Sequence, residues 1–201
     1  MDPNDRQSIL EQIYSKKTSL RSVCRELRND KEIVLASVSN RGLTLRLASP
    51  ELQNDREIVL AAISSDGSSL RFASPELRND KEIVLAAVSN YGRVLRYVSS
   101  ELQNDREIVL AAISHGDTET LRYASPELRN DKDIVINSIK NNSYTFDDIP
   151  YELKKDKEFV NFLISNSKLT LEYVNSYFNN STWSASWEPV EGISPPELLK
   201  K

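Results

Sequence analysis

Cysteine and histidine are almost missing from this sequence, which contains one of each, Cys24 and His115. A single cysteine cannot form an intramolecular disulfide, so we expect stability to come from packing and the chain to work in a reducing compartment such as the cytoplasm. A zinc site of the Cys/His type is excluded, because it needs several such ligands. Any dyad of serine or cysteine with histidine would have to use His115, which argues against an enzyme of that kind.

Long apolar runs and an excess of positive charge are also missing. No stretch approaches the roughly 20 apolar residues that a membrane-spanning helix needs, and the N-terminus lacks a charged and then apolar leader. We therefore expect a water-soluble chain without a transmembrane segment or a signal peptide. A formal net charge of −4 disfavours binding to duplex nucleic acid. Basic residues between positions 4 and 28 leave an anionic contact at that end open, although we interpret them as a solvated face.

The sequence does contain a strong internal repeat. An Asn-Asp-Lys/Arg motif followed by an apolar run recurs every 25 residues, with one inserted residue before Asp131. Copies two to five match closely, whereas copies one, six and seven have drifted, which fits the water-exposed ends of a stack. The seven copies start near Asn4, Asn29, Asn54, Asn79, Asn104, Asn130 and Lys155.

Each copy predicts two helices joined by a turn. The aspartate before each apolar run, such as Asp30, is the N-cap or the N1 residue of the first helix; if the preceding asparagine caps instead, Glu32 completes a capping box. Gly42 and its equivalents lie near the position where a left-handed residue ends a helix. A second, shorter helix follows, with apolar residues three positions apart, and then a Ser-Pro turn whose serine is an N-cap.

We therefore predict an all-α fold, a short right-handed α-solenoid of about seven 25-residue helix-turn-helix repeats in residues 1–178. Stacking must supply the core, since isolated helices shorter than about 12 residues are marginal in water. Residues 179–201 differ in character, because both tryptophans lie there. We predict that Trp183 and Trp187 fold back to cap the open end of the stack; a peptide that docks elsewhere is the alternative.

The segment from Asn104 to Leu128 carries a resemblance to a known family. It reads Asn-Asp-Arg-Glu-Ile-Val-Leu-Ala-Ala and, after a glycine turn, Leu-Arg-Tyr-Ala-Ser-Pro-Glu-Leu. This pattern resembles tandem helical repeats known only as a domain of unknown function, with about 50 residues per repeat pair, found in protists, giant viruses and amoeba-associated bacteria. The resemblance covers about residues 29–178 and implies an α-helical repeat fold with no activity attached. Copies six and seven depart from the pattern.

The second helices carry arginines at one position of successive copies, here called the arginine row. One hypothesis is a stripe that binds an acidic or phosphorylated partner. The other, which we favour, is that each arginine pairs with a repeated acid such as Glu51 or Glu76, or with a capping carboxylate. The row consists of Arg21, Arg46, Arg71, Arg96 and Arg122, and a mostly aromatic column lies beside it, formed by Leu47, Phe72, Tyr97, Tyr123 and Tyr173.

The turns between the two helices differ most between matching copies and should lie along one edge of the stack, here called the turn edge. Sequence is free to change there without harming the core, so this edge is our preferred recognition surface; neutral drift is an equal alternative. The candidate partner-binding residues on the turn edge are Arg41, Tyr91, Arg93 and His115.

These observations predict a non-enzymatic interaction or scaffold module, without catalytic residues, cofactor or metal, that binds a protein or peptide. Binding of an anionic ligand, nucleic acid or phospholipid, through Arg46, Arg71, Arg96 and Arg122 is the alternative, and the net charge makes nucleic acid the weaker form of it. Given the resemblance, such a module could serve as a bacterial effector or a viral host-interaction protein, which would then act in the host cytoplasm.

Overall fold

The computed structural model describes residues 6–116, 119–141 and 146–166, except for the side chain of Asp147. Every regular element within these residues is helical, which confirms the all-α prediction. Each repeat contributes one long α-helix, and these helices span Arg6–Tyr14, Lys31–Asn40, Arg56–Ser65, Lys81–Asn90, Arg106–Ser114, Lys132–Lys140 and Lys157–Asn166. The long helices recur with the repeat, so each repeat is one structural unit.

The repeated aspartate is the N-cap of the long helix. Asp30 has an extended backbone (φ −84°, ψ 114°), and its carboxylate accepts hydrogen bonds from the backbone N–H groups of Glu32 at 3.0 Å and Ile33 at 3.1 Å. The capping-box register with asparagine at the cap is therefore wrong. Asn29 instead accepts a hydrogen bond of 2.6 Å from the Ser49 hydroxyl, which fastens the start of one long helix to the turn that ends the same repeat.

The second helix is present at its predicted place, but it is a 3₁₀-helix. A 3₁₀-helix has three residues per turn, so residues three apart lie above one another, and Gly42, Leu45 and Ala48 are all buried at that spacing. These helices span Leu20–Ser22, Gly42–Leu47, Gly67–Phe72, Gly92–Tyr97, Thr120–Tyr123 and Phe146–Asp148. A short helical turn then closes each repeat, at Glu26–Asn29, Pro50–Gln53, Leu77–Asn79, Leu102–Asn104, Pro126–Arg129 and Tyr151–Lys154.

The glycine of the turn serves close packing, so the prediction of a left-handed C-terminal residue is wrong. The long helix of repeat 2 ends at Arg41, whose backbone is extended (φ −152°, ψ 96°), and Gly42 itself does not have a positive φ. A Cβ atom on Gly42 would lie 2.2 Å from the carbonyl oxygen of Ala62 in the next repeat. Glycine is required because the turn of one repeat touches the backbone of the next long helix.

The repeats pack as two layers. The long helices contact one another in chain order from repeat 1 to repeat 6, and the 3₁₀-helices do so from repeat 1 to repeat 5. The apolar core between the layers is one continuous cluster that extends from Ile9 in repeat 1 to Leu163 in repeat 7. Each repeat thus excludes water from its apolar residues by packing on its neighbours, as a stacked array requires.

Two sequence-based predictions extend beyond these observations. The right-handed sense of the superhelix stays a prediction. The proposed tryptophan cap at residues 179–201, with Trp183 and Trp187, and the second half of repeat 7 lie outside the described residues.

Candidate interaction surfaces of the array

The N-terminal ends of the long helices carry a row of ion pairs between repeats, here called the charge ladder. The Lys31 ammonium lies 2.8 Å from a carboxylate oxygen of Asp55, which caps the next long helix, and 2.8 Å from one of Glu57. The same arrangement joins successive repeats through Arg6 with Asp30 and Glu32, Arg56 with Asp80 and Glu82, Lys81 with Asp105 and Glu107, Arg106 with Asp131 and Asp133, and Lys132 with Asp156. The capping aspartate therefore both starts a long helix and joins its repeat to the preceding one.

The pKa values of the charge ladder follow from these contacts. Hydrogen bonds to Asp55 and then to Glu57 raise the pKa of Lys31 to about 12. The pKa of Asp30 is lowered, chiefly because Arg6 donates hydrogen bonds to it. Burial raises the pKa of Asp55, but hydrogen bonds from Lys31 and from the Ile58 N–H outweigh burial, so its net shift is downward. Both partners are held in their charged forms near neutral pH.

Sequence reasoning missed the charge ladder. The signal was present in the alternation of lysine and arginine directly after the repeated aspartate, at Lys31, Arg56, Lys81, Arg106 and Lys132. In a stacked array, a cation at a fixed position in every repeat faces a fixed position of the next repeat. A cation that is kept as lysine or arginine in successive repeats therefore indicates a contact between repeats.

The arginine row lies on the 3₁₀-helices, and all of Arg46, Arg71, Arg96 and Arg122 are exposed. The Arg71 guanidinium lies 4.6 Å from the centre of the Phe72 ring. Similarly, the Arg96 guanidinium lies 4.5 Å from the centre of the Tyr97 ring. These distances are typical of cation–π contacts, so the aromatic column supports the arginines beside it.

The arginine row also reaches the aromatic column of the next repeat. Burial raises the pKa of the Tyr97 hydroxyl, but hydrogen bonds from Arg71, one repeat earlier, and from Arg96 outweigh burial and lower it. The pKa of Arg96 is raised, first by the Tyr97 hydroxyl and then by the Tyr123 hydroxyl of the next repeat. At the following step, Arg122 forms an ion pair with Asp148, which replaces tyrosine in the column.

The predicted pairing of the row with repeated acids is therefore wrong. Arg71 and Arg96 contact aromatic side chains, and no ion pair joins them to Glu76 or Glu101 in the described part of the chain. Each of these two arginines contacts the ring of the residue that follows it. Arg46 is followed by Leu47 and has no side-chain partner among the described residues.

The turn edge presents different chemistry at equivalent positions of successive repeats. Arg41, Asp66 and Tyr91 each follow the last residue of a long helix, and Tyr91 is 40% exposed. His115 is exposed too, and its carbonyl accepts a hydrogen bond of 3.1 Å from the N–H of Gly92 in the preceding repeat. The side chains of Arg41, Tyr91 and His115 thus lie on backbone that contacts between repeats hold in place.

Arg93 differs from the other predicted residues of the turn edge. It is half-buried, and its guanidinium lies 2.9 Å from a carboxylate oxygen of Glu119 in the next repeat. Its main contact is therefore within the array, which leaves Arg41, Tyr91 and His115 as the exposed members of the predicted set.

Two further features of the described residues limit what the surface can do. No three side chains of histidine, cysteine, aspartate or glutamate come together there as a potential metal site. None of the described helices has the length and apolar character needed to cross a bilayer.

Comparison with known proteins bears on the whole array. The family model described as Domain of unknown function (DUF4116) matches residues 30–78, 55–103, 80–129, 105–154 and 131–179, so each match covers two successive repeats and overlaps the next. No curated protein and no solved structure matches the chain. Because the matches together cover residues 30–179 of the 201 in the sequence, the chain belongs to the DUF4116 family of tandem helical repeats.

Proposed function

We propose that this chain is a non-enzymatic interaction module that binds a protein or peptide along its turn edge. One observation carries the proposal: the charged side chains of the other two surfaces are largely engaged within the array. The charge ladder pairs each repeat with the next, and Arg71, Arg96 and Arg122 contact tyrosine, phenylalanine or aspartate. On the turn edge, Arg41 and Tyr91 are exposed and no ion pair holds them.

The chemistry of the turn edge suits recognition of a protein partner. Arginine and tyrosine are the side chains that most often dominate binding energy at protein interfaces, since each combines apolar area with a polar group. They are displayed here on a backbone that glycine contacts fix against the next repeat. Little ordering of the edge is then needed on binding, which favours affinity.

The proposal is tested with residues that the array already uses at equivalent positions. We expect the triple variant Arg41→Asp, Tyr91→Asp and His115→Ser to fold normally, because Asp66 and Ser65 occupy these positions in repeat 3. Affinity capture with wild type identifies bound proteins, and calorimetry with the purified partner then compares wild type, the turn-edge variant and a variant with Arg46, Arg71, Arg96 and Arg122 changed to serine. We expect at least about a tenfold loss for the turn-edge variant and little loss for the other.

Anionic-ligand binding through the arginine row is the second candidate, and the exposed Arg46 is the observation that favours it. A nucleic acid or an anionic phospholipid surface would release counterions, so its affinity would fall steeply and linearly with the logarithm of salt concentration. A partner lost from the arginine-row variant, retained by the turn-edge variant and released by salt would replace the first proposal with this one. For either function, we propose a cytoplasmic location, which is that of the host cell if the chain is an effector.

A further inference from the structure

A polar cleft lies between the turn of repeat 1 and the long helix of repeat 2. It has a volume of about 330 Å³. Its walls are formed by Ile13, Lys16, Lys17, Thr18, Ser19 and Ser22 from repeat 1 and by Ser37, Asn40, Arg41 and Thr44 from repeat 2. The cleft thus opens beside Arg41, the first residue of the turn edge.

The cleft exists because repeat 1 lacks the glycine of the later turns. Lys17 occupies the position of Gly42, Gly67 and Gly92, where a Cβ atom would collide with the next long helix. In this turn Lys16 has a left-handed backbone (φ 58°), and a cleft lies where the later turns touch the next long helix. The space that glycine closes at later junctions is therefore open at the first.

Three cations surround this space and no acid lines it. The side chains of Lys16, Lys17 and Arg41 are exposed and have no partner in the part of the chain that the structure describes. The hydroxyls of Thr18 and Ser19 donate to no neighbour in the same part. The junctions between repeats 2 and 4 do not keep this charge, because glycine stands at the position of Lys17 and Asp66 or Tyr91 stands at that of Arg41.

Several other polar groups of the cleft are hydrogen-bonded to one another. The Ile13 carbonyl, at the end of the first long helix, accepts from the Asn40 amide at 2.8 Å and from the Lys16 N–H at 2.9 Å. The Ser37 hydroxyl lies 3.1 Å from that of Thr44, which donates to the Arg41 carbonyl at 2.8 Å. The free groups of the cleft are therefore three cations and hydroxyls that can donate to an anion.

We infer that this cleft binds the phosphate group of a phosphorylated serine or threonine in a peptide that lies along the turn edge. A phosphate monoester has close to two negative charges and three acceptor oxygens, which match three cations and two or three hydroxyls. Arg41 belongs to both the cleft and the turn edge, so a peptide bound along the edge brings its side chains to the cleft. The inference rests on the proposed function and names the chemical class of its partner.

The lining favours a peptide over the other carriers of phosphate. No aromatic side chain lines the cleft, so the base of a nucleotide would have nothing to stack on. Ile13 is its one large apolar residue, so an acyl chain would find no apolar groove. A phosphate carried by a peptide needs neither a stacking surface nor an apolar groove, because the peptide backbone stays outside the cleft.

The test uses the full chain and two degenerate peptide pools that differ only in phosphorylation of a fixed central serine. Fluorescence polarisation compares wild type, the cleft variant Lys16→Gln, Lys17→Gln and Arg41→Gln, and the control variant Lys140→Gln and Lys157→Gln. The control removes two exposed cations that also lack a side-chain partner among the described residues and that belong to neither the turn edge nor the arginine row. We expect the phosphorylated pool to bind wild type and the control at least about tenfold more tightly than the unphosphorylated pool, and the cleft variant to lose this preference.

Equal binding of both pools to wild type would overturn the inference while leaving recognition by the turn edge intact. A preference that survives in the cleft variant would also overturn it. A titration of isotope-labelled protein with inorganic phosphate separates the remaining cases. Shifts at the amides of Lys17, Thr18 and Arg41 without peptide binding would assign the cleft to a small free anion, against the inference. The function of the turn edge is judged separately, by the loss of its purified partner from a variant that carries only Tyr91→Asp and His115→Ser and so leaves the cleft unchanged.

Discussion

The first junction of the array and the junctions between repeats 2 and 5 share one set of contacts and differ in another. The charge ladder is present at both, since Arg6 contacts Asp30 as Arg56 contacts Asp80. The glycine contact is present only at the later junctions, where Gly42, Gly67 and Gly92 lie against the next long helix. The contact at the C-terminal end of the long helix can therefore differ between junctions while the ladder contact at the other end is kept.

This difference suggests how the array divides its tasks. The ladder and the buried core set the register of each repeat on the next, and they tolerate drift at the turn. Where the turn packs closely, a surface residue such as Tyr91 is held in place; where it stands away, as at Lys16 and Lys17, a cleft appears. Drift in the first copy thus has a structural consequence at a site that the core does not need.

The largest expected effect on stability comes from the glycine contact, which distinguishes the later junctions from the first. Gly92→Ala would place a Cβ atom 2.0 Å from the Ala112 carbonyl oxygen, whereas the closest atoms to a Cβ at Gly67 are 3.0 Å away. We expect Gly92→Ala to lower the free energy of unfolding by about 3 kcal/mol and Gly67→Ala by about 1 kcal/mol. Urea denaturation followed by circular dichroism measures both. Equal losses would contradict the role given to the close approach.

The glycine also shows what could be predicted from the sequence and what could not. The helices, the buried positions and the capping role of Asp30 depend on residues within one turn of chain, and the repeat made them visible. Gly42 was assigned to the turn correctly, but its reason lies in Ala62, in the next repeat. The partners of Arg71 were missed for the same cause, since Tyr97 approaches it only once the 3₁₀-helices are stacked.

The candidate surfaces divide in the same way. Exposure of Arg41, Tyr91 and His115 was predictable, because variation between otherwise matching repeats marks positions outside the core. The ion pair between Arg93 and Glu119 could not be predicted, because Glu119 follows an inserted residue that shifts the register of its turn. The cleft at Lys17 needed the observed left-handed turn as well as the missing glycine.

A smaller effect, equal at both kinds of junction, is expected from the charge ladder. Asp30→Ala and Asp80→Ala each remove an N-cap and a cation's partner, so we expect each to cost about 1 to 2 kcal/mol of unfolding free energy. Glu82→Ala is the control; it removes only the outer acid, whose side chain is 84% exposed, and should change little. A clearly smaller cost at Asp30 would mean that the first junction has lost the ladder contact as well.

The ladder also predicts a response to acid. The pKa of each capping aspartate, Asp55 and Asp105 among them, is lower in the folded chain than its ordinary value of 3.8. The associated stability is present above about pH 3.8 and is lost as the pH falls through the lower, folded pKa. We expect the urea midpoint to be level from pH 7 to pH 5 and to fall towards pH 3. A variant with Asp55→Asn and Asp105→Asn should show a smaller acid-induced change; an unchanged profile would exclude these two caps as its cause.

The smallest effect concerns the turn that sets the first junction apart. Lys16 has a φ of 58°, a conformation that costs a side-chain-bearing residue about 1 to 2 kcal/mol and that glycine adopts freely. Glycine also loses more backbone freedom on folding, so we expect Lys16→Gly to raise the free energy of unfolding by only about 0.5 kcal/mol. Lys17→Gly is the matched control: it removes the same charge at a residue whose φ is not positive, and it should lower stability slightly. Opposite signs for neighbouring lysines would locate the strain at Lys16, whereas a loss for both would mean that the first turn is not held in the left-handed form that keeps the cleft open.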